Sequence, residues 1–480
     1  MSNFHEQAMH FVYQQVLHRL LGFFSRPERI ALQLLVQRIL VAAGGLERIG
    51  SYRVMVVHEG GKECAYTLAF LRAAQLSIAG RTPETFTLRI AVLRQPRVTT
   101  KVMARIQTQC NELFVYDDPT VELLLVDETQ VRRLDKHIPV AFERLGSDMD
   151  RTQILMAGHL SEGVPRATFF YADLLSRAKL YRRACEWGGH VDALIDRRPP
   201  EHLGEYSQWI KQVALKQGHA PNALYTQGFE SAVKLCSKLD DDFKHWLRLP
   251  VPLNLLGTTS ADTEINIINV FDCLSYEVDM LHSQVLMFVE GSWNIKILDI
   301  EEPQAAVVLL SAHVQGVRGV CQCGDEYHVG VQEFLRKASA DNQTNERYKS
   351  QVIKQLGGSF NTPRRIEKLR HSITHYLDEL HGMTDEHLVC ALYSPFVDQA
   401  SGLEAFLRQR YPAKLYAQND LRLALMEENA ASEADVKWLE SISGLPVSSL
   451  RVLFGMSKTD FTAGKSLIAA LWMHDPNKLL

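Results

Sequence analysis

Apolar side chains recur every three or four positions through residues 4–39, which predicts two amphipathic helices. Between the two helices, Ser25, Pro27 and Glu28 form the capping-box pattern with which a helix begins. Gly44 follows the last apolar positions and is typical of a helix end. We therefore expect an N-terminal helical hairpin over residues 1–49.

From residue 52 the pattern changes to short β-branched runs that alternate with helical stretches. Strands are predicted at residues 52–57, 87–93, 112–116 and 121–126, with helices near 65–79 and 99–108. Strands that alternate with helices favour a parallel sheet covered by those helices. Residues 50–150 form the predicted parallel α/β domain.

Two further regions follow, one helical and one rich in strands. Residues 151–249 have mostly helical spacing of apolar residues, so a helical middle is predicted there. Residues 250–340 carry alternating and β-branched runs, including a hairpin predicted at 285–300. This region is the predicted β-rich insert.

Residues 341–480 form the last predicted region, an α/β module with terminal helices. It begins with an amphipathic helix at 363–381, continues with a β-α-β unit whose strands lie at 388–393 and 414–417, and closes with helices. The predicted fold class is therefore α/β and multi-domain, with an N-terminal parallel-sheet domain, a helical middle, a β-rich insert and this C-terminal module.

Composition limits the classes of protein that remain. The chain has 480 residues, of which 46% are hydrophobic and 22% are charged, so a mostly disordered or collagen-like protein is excluded. The net charge of -4 gives no overall attraction to nucleic acid or membrane, so either partner needs a local patch. No apolar run reaches the ~20 residues of a membrane span. With eight scattered cysteines and no basic, apolar leader, we expect a cytoplasmic protein with reduced thiols.

The segment from His58 to Lys62 follows a predicted strand and opens a predicted helix. Gly60 and Gly61 would let backbone N–H groups approach an anion, and the helix N-terminus would add partial positive charge. Lys62 is close enough in sequence to reach a bound phosphate. Neither G-x-G-x-x-G nor G-x-x-x-x-G-K-[ST] is present. Two interpretations stay open, a ligand site at these four residues or an ordinary tight turn.

Four side chains with the donor atoms that zinc prefers lie close together in the sequence: His313, Cys321, Cys323 and His328. On a strand, Cys321 and Cys323 would face the same side, and a turn at Gly324 would return His328 toward them. The C-x-C spacing departs from the C-x₂₋₄-C of structural zinc sites. An ordinary hairpin with buried cysteines is the alternative to a zinc site.

Basic residues concentrate at the start of the helix predicted at 363–381: Arg364, Arg365, Lys368 and Arg370. Helical spacing places Arg364 and Lys368 on one face, where they could meet phosphates while Ile366 and Leu369 are buried. A solvated helix face explains the same pattern equally well.

Residues 436–453 resemble the helix-turn-helix segments of bacterial regulators. The resemblance rests on the residues that pack two helices around a glycine turn: Leu439, Gly444, Leu445, Leu450 and Leu453. It implies DNA binding by the second helix, in which Arg451 is the basic residue. Glu440 and Ser443 depart from the pattern, which has a small residue and an apolar residue there. A helical hairpin without DNA contact is the alternative.

The leading functional hypothesis is a nucleic-acid-associated or regulatory binding protein that meets DNA or RNA through the helix at 363–381 and the C-terminal helices. The first alternative is an enzyme or sensor of a phosphorylated small molecule or nucleotide at the turn of Gly60, Gly61 and Lys62. The second alternative is a structural subunit that binds protein partners in an assembly. No catalytic residue can be named from the sequence.

Overall fold

A computed structural model describes residues 3–94, 100–127, 130–136, 148–198, 200–219, 229–250, 265–274, 303–340, 362–426 and 432–476. This described part is mostly helical and contains one mixed sheet of six strands, which confirms the α/β class in its coarse form. The hairpin predicted at 285–300 lies outside the described residues. None of the described helices combines the length and apolar character that a membrane-spanning segment requires.

The sheet is mostly parallel. Its strands are β1 (Arg53–Val57), β2 (Thr87–Leu93), β3 (Val121–Val126), β4 (Val131–Arg133), β5 (Ala193–Asp196) and β6 (Asn266–Asn269). The order across the sheet is β4-β3-β2-β1-β5-β6. Every neighbouring pair is parallel except β3 and β4, which form an antiparallel edge. Strands β2 to β4 therefore lie on one side of β1, and the later strands β5 and β6 lie on the other side.

Helices cover both faces of this sheet. The first nine described are α1 (Asn3–Phe23), α2 (Arg26–Ala43), α3 (Lys62–Ala79), α4 (Thr100–Glu112), α5 (Asp148–Leu160), α6 (Pro165–Phe169), α7 (Tyr171–Glu186), α8 (Pro200–Lys216) and α9 (Phe229–Trp246). α1 to α4 share a core with one face of the sheet, whereas α7 packs against the opposite face. The faces are distinct because successive side chains of a strand point to opposite sides.

The N-terminal helical hairpin agrees with its sequence signals. Glu28 N donates to Ser25 Oγ at 3.4 Å and Ser25 N donates to Glu28 Oε2 at 2.6 Å, which confirms the capping box of α2. The hairpin is held against the α/β core by Tyr13, whose hydroxyl donates to Asp118 Oδ1 at 2.9 Å. The same carboxylate lies 2.7 Å from the fully buried guanidinium of Arg72 in α3.

The longer of the remaining helices form a second core with α5 to α9. They are α10 (Pro303–Arg318), α11 (Tyr327–Ala340), α12 (Pro363–His381), α13 (Asp385–Tyr393), α14 (Leu403–Arg410), α15 (Gln418–Met426), α16 (Glu433–Ser443), α17 (Val447–Phe454) and α18 (Leu467–His474). α7 contacts both this helical core and the sheet, because Leu175 packs in the helical core and Leu180 packs on the sheet face opposite α1 to α4. α7 therefore couples the sheet to the helical part of the chain.

Several predicted elements are confirmed. The strands predicted at 52–57, 87–93 and 121–126 and the helix predicted at 363–381 are present. The strand predicted at 112–116 is wrong, since α4 ends at Glu112 and the chain then turns through Phe114, whose φ is 54°.

The C-terminal α/β module is wrong in the described residues, because the strand predicted at 388–393 lies inside α13. Thr384 caps this helix, with its hydroxyl accepting from His387 N at 3.4 Å. Its apolar run is buried on all sides, and such short runs do not distinguish a buried helix from a buried strand. The second strand, predicted at 414–417, is also wrong, because these residues lie in the 3₁₀ helix Pro412–Ala417.

The regions at 151–249 and 250–340 are also corrected in part. The helical middle contributes a strand, β5, to the sheet. Of the region predicted as β-rich, the structure describes residues 265–274 and 303–340. Residues 303–340 are mostly helical, and β6 is the one strand within these two ranges. The division of the chain into five domains stays a prediction.

Candidate functional site

The site follows from the place of β1 in the sheet. The connections from β1 to β2 and from β2 to β3 run through α3 and α4 on one face, whereas α8, which follows β5, packs into the core of α7 and α9, and α7 lies on the other face. The chain segments that leave β1 and β5 at their carboxyl ends therefore diverge. In open parallel sheets, ligands bind in the crevice that opens at such a switch point.

The turn after β1 is held by the imidazole of His58. Gly60 N donates to His58 Nδ1 at 3.0 Å, so the proton lies on Nε2, which donates to Gln109 Oε1 in α4 at 2.8 Å. Burial lowers the pKa of His58 to about 4, and the ring is neutral near pH 7. Both ring nitrogens of His58 make hydrogen bonds within the protein, and the residue is buried. His58 therefore stabilises the turn from its buried side.

Gly60 is required by the shape of this turn. Its φ is 87°, a conformation that L side chains rarely adopt, and a Cβ atom there would lie 1.9 Å from Val102 Cγ1 in α4. Gly61, the N-cap residue of α3, makes no side-chain cap. The first N–H groups of α3 therefore meet no capping side chain from Gly61. The side chain of Lys62, the first residue of α3, lies outside the described residues.

Two arginines reach this turn, one from α7 and one from the segment after β5. Arg197 follows β5, and its Nη1 lies 3.3 Å from Glu63 Oε2 in the first turn of α3. Arg177 in α7 lies 3.9 Å from Glu59 Oε1 and also pairs with Asp173. Arg198 completes the set beside Arg197. The carboxyl end of β5, the turn after β1 and the middle of α7 thus form one cluster.

Arg198 is held by the last residue of β5. Its Nε donates to Asp196 Oδ1 at 2.8 Å. Alternation along β5 sends Ala193 and Ile195 toward the face with α3 and Asp196 toward the face with α7. Asp196 therefore joins the arginines rather than the core beneath α3.

Tyr181 of α7 lies among these charges. Burial, followed by the charge of Glu59, raises the pKa of Tyr181 to about 12, and Arg198, Arg177 and Asp196 also act on it. We refer to the following seven residues as the switch-point cluster: Glu59, Glu63, Arg177, Tyr181, Asp196, Arg197 and Arg198. The hydroxyl of Tyr181 is protonated near pH 7, so it can donate a hydrogen bond there.

The arginines of the cluster stay charged and remain partly accessible. Burial opposes the charge of Arg197, yet Cys64, Glu63 and Glu59 together raise its pKa above the ordinary value. The side chain of Arg197 is 34% exposed and that of Arg198 is 44% exposed. Both side chains are therefore accessible from solvent, while Arg197 Nη1 itself is buried.

The zinc ligands are not brought together. His313 Nδ1 is bonded to the Tyr327 hydroxyl at 2.8 Å and its Nε2 to Asp385 Oδ1 at 3.1 Å. Cys321 and Cys323 lie in the π-helical turn Gly319–Cys323, where residues two apart face different sides, instead of on the expected strand. Within the described ranges, no group of three or more potential ligand side chains can hold a metal ion.

His328 belongs to the same correction. It lies in α11 instead of in the second strand of a hairpin, and its Nδ1 is 3.1 Å from Glu326 Oε2. Cys323 is exposed to solvent. The hairpin that would have assembled the ligands is replaced by a helix, a π-helical turn and a second helix.

The basic residues of α12 divide into two sets. Arg364, Arg365 and Lys368 are exposed on its first two turns. Arg370 is engaged, because its guanidinium lies 3.6 Å from Asp385 Oδ2 and 4.7 Å above the ring of Tyr327. Only the first set presents positive charge to solvent.

The C-terminal segment forms two helices joined at Gly444, whose φ is 69°. The two departures from the helix-turn-helix pattern have structural roles: Glu440 Oε1 accepts from Val447 N at 2.9 Å, and Ser443 Oγ accepts from Leu445 N at 3.1 Å. Arg451 Nε donates to Ala424 O at 3.1 Å. Within α17, which is described in full, Ser448 is the one exposed residue, so the helix presents little surface to DNA.

Neither a protein-family model nor a curated protein nor a solved structure matches this chain. The chemistry of the switch-point cluster therefore has to be inferred from its own residues. The sequence pointed to the turn after β1 through His58, Gly60, Gly61 and Lys62, none of which is a cluster residue, and it missed the residues contributed by α7 and by the segment after β5. The signal that could have found the residues at the end of β5 is the run of Asp196, Arg197 and Arg198 directly after a short apolar segment.

Replacing Gly60 by Ala tests whether the turn depends on glycine. Strain at positive φ and the contact with Val102 Cγ1 are expected to lower the free energy of unfolding by about 2–4 kcal/mol, measured by urea denaturation. Adding Val102→Ala removes the contact but not the strain, so part of the loss should return.

Gly204→Ala is the matched control for this substitution. Gly204 lies inside α8, and a Cβ atom added to it would have nothing within 4 Å, so alanine there is expected to be neutral or to stabilise by up to about 1 kcal/mol. A Gly60→Ala variant as stable as the parent would contradict the role given to this turn.

Proposed function

We propose that the protein binds a phosphorylated small molecule of nucleotide size at the switch-point cluster, as an enzyme or a sensor of that molecule. The observation that carries the proposal is the convergence of the glycine turn after β1 with Arg177, Arg197 and Arg198 at the carboxyl ends of two adjacent parallel strands. This is the edge at which open α/β sheets bind ligands.

The carboxylates of the cluster are compatible with an anionic ligand. A guanidinium has five N–H donors, and the hydrogen bond from Arg198 to Asp196 uses one of them. The ion pairs of Arg177 with Glu59 at 3.9 Å and of Arg197 with Glu63 at 3.3 Å lack hydrogen-bond geometry and use none. Glu59, Glu63 and Asp196 therefore orient the arginines and leave donors for a ligand. Side chains that are already held in place lose less conformational entropy on binding, which favours affinity.

The uncapped start of α3 supports the same proposal. Its first N–H groups carry partial positive charge, and Glu63 connects this turn of helix to Arg197 at 3.3 Å. A phosphate bound there would meet backbone donors from one strand connection and a guanidinium from the other.

The double substitution Arg197→Ala and Arg198→Ala tests the proposal. Charge-assisted hydrogen bonds contribute about 1.5–3 kcal/mol each, so affinity for ADP or pyrophosphate is expected to fall at least tenfold in isothermal titration. Arg182→Ala is the control, because Arg182 lies on α7, as Arg177 of the cluster does, but pairs with Glu186 at 2.8 Å instead of with a cluster residue. Its affinity should equal that of the parent.

Two results would reject the proposed function. One is that the parent protein binds no member of a broad panel of nucleotides, sugar phosphates and pyrophosphate. The other is that the control variant loses as much affinity as the double variant. A cooperative unfolding transition in each variant shows whether a loss of binding reflects a loss of fold.

Nucleic-acid binding through α12 is the second candidate function, and the exposure of Arg364, Arg365 and Lys368 near a helix N-terminus favours it. Neighbouring positive charges at that end oppose the helix dipole, an arrangement that a bound phosphate would relieve. Arg370 and Arg451 are engaged within the protein, so this candidate rests on fewer residues than the sequence indicated.

Charge reversal at Arg364 and Lys368 tests this second candidate. The expected result is weaker binding to all DNA and RNA sequences alike, with the slope of log affinity against log salt reduced by about 0.9 for each duplex phosphate contact removed. Arg408→Glu is the control, since Arg408 is exposed on α14 and pairs with Glu404. A parent protein that binds neither DNA nor RNA at low salt excludes this candidate.

A further inference from the structure

One carboxylate oxygen of Asp196 has no hydrogen-bond partner among the described residues. The residue is 6% exposed, and its Oδ1 accepts from Arg198 Nε at 2.8 Å. Its Oδ2 is buried and has no hydrogen-bond partner in the described part of the chain. Buried polar atoms are rarely left without a partner, because the lost hydration is not otherwise compensated.

The position of this oxygen is fixed by the fold. Asp196 is the last residue of β5, and its backbone carbonyl accepts from Val270 N at 2.8 Å. Arg198 fixes the rotation of the carboxylate through Oδ1. The second oxygen is therefore a preorganised acceptor at the carboxyl end of the sheet, on the side where α7 supplies Arg177 and Tyr181.

Unfilled donors lie in the same cluster. Arg177 Nε and Arg197 Nη1 are buried and have no hydrogen-bond partner among the described residues. Arg197 Nη1 keeps its ion pair with Glu63 at 3.3 Å, but without the geometry of a hydrogen bond. The cluster thus combines unfilled donors, which suit an anion, with an unfilled acceptor, which suits a hydroxyl group.

We infer that the ligand is a sugar phosphate or nucleotide, and that one of its sugar hydroxyl groups donates to Asp196 Oδ2. The inference rests on the proposed phosphate site and adds the class of molecule that carries the phosphate. A simple anion fills the arginine donors and leaves Oδ2 unpaired. A phosphorylated sugar fills both, because its hydroxyl groups and its phosphate are separated by only a few bonds.

Asp196→Asn changes the unfilled atom with little change in shape. Arg198 requires an acceptor, so the amide oxygen takes the position of Oδ1 and the amide NH₂ takes the position of Oδ2. A charged acceptor becomes a neutral donor at the point where the hydroxyl binds. The phosphate-binding arginines stay in place.

The experiment compares two matched ligand pairs by isothermal titration: AMP with 2′,3′-dideoxy-AMP, and glucose 6-phosphate with 2-deoxyglucose 6-phosphate. We expect the parent protein to bind the hydroxylated member of at least one pair tenfold or more tightly. In Asp196→Asn that preference should fall to about twofold or less, while affinity for the deoxy member changes little.

Asp192→Asn is the matched control. Asp192 directly precedes the same strand at the opposite edge of the sheet, where its Oδ2 accepts from Arg53 N at 2.7 Å. This variant should keep the full preference of the parent. It separates an effect of the Asp196 carboxylate from a general effect of amide substitution beside β5.

The outcomes distinguish this inference from the proposed function. Equal affinity for both members of each pair in the parent, together with weaker binding by Arg197→Ala, would leave the phosphate site standing and reject the role of Asp196. A preference that persists in Asp196→Asn would reject it as well. Failure of all four ligands to bind would overturn the inference, and it would overturn the proposed function as well only where pyrophosphate and the rest of the broad panel also fail to bind.

Discussion

The handedness of parallel crossovers is the constraint on which the candidate site depends. A strand-helix-strand connection between parallel strands is right-handed in nearly all proteins. Because β2 and β5 lie on opposite sides of β1, helices that follow this rule must cover opposite faces of the sheet, as α3 and α7 do. The chain segments that leave the carboxyl ends of β1 and β5 consequently diverge toward opposite faces of the sheet.

Charge balance decides which residues can lie together at the point where these segments diverge. Burial disfavours the charged form of Arg177 and Arg197, yet neighbouring carboxylates raise the pKa of both above the ordinary value. Glu59 acts on both arginines. The carboxylates thus offset the repulsion among three neighbouring arginines and orient their side chains. Some N–H donors of these arginines still have no hydrogen-bond partner among the described residues.

The sequence predicted the parts of the fold whose signals are local. The capping box at Ser25 and Glu28 and the three long buried strands of the sheet need no information from distant residues. β5 has only four residues, and it exists because Val54 and Asn266 pair with Ala193 on either side, which no local pattern encodes. The residues that α7 and the end of β5 contribute to the candidate site were therefore invisible in the sequence.

Errors elsewhere have the same physical origin. The apolar run within α13 is buried on every side, so it carries neither the period of a helix nor that of a strand. The zinc hypothesis required Cys321 and Cys323 to share a face, which holds on a strand and fails in the helical turn that they occupy. A predicted site was therefore correct only where the secondary structure predicted for its residues was correct.

A crystal structure of the protein with bound tungstate, a phosphate analogue located by its anomalous scattering, tests the central claim most directly. The account predicts a tungstate within hydrogen-bond reach of the first N–H groups of α3 and of the Arg197 guanidinium, displaced by excess AMP. Tungstate confined to Arg364 and Lys368 on α12, or no tungstate at the carboxyl ends of β1 and β5, would contradict it.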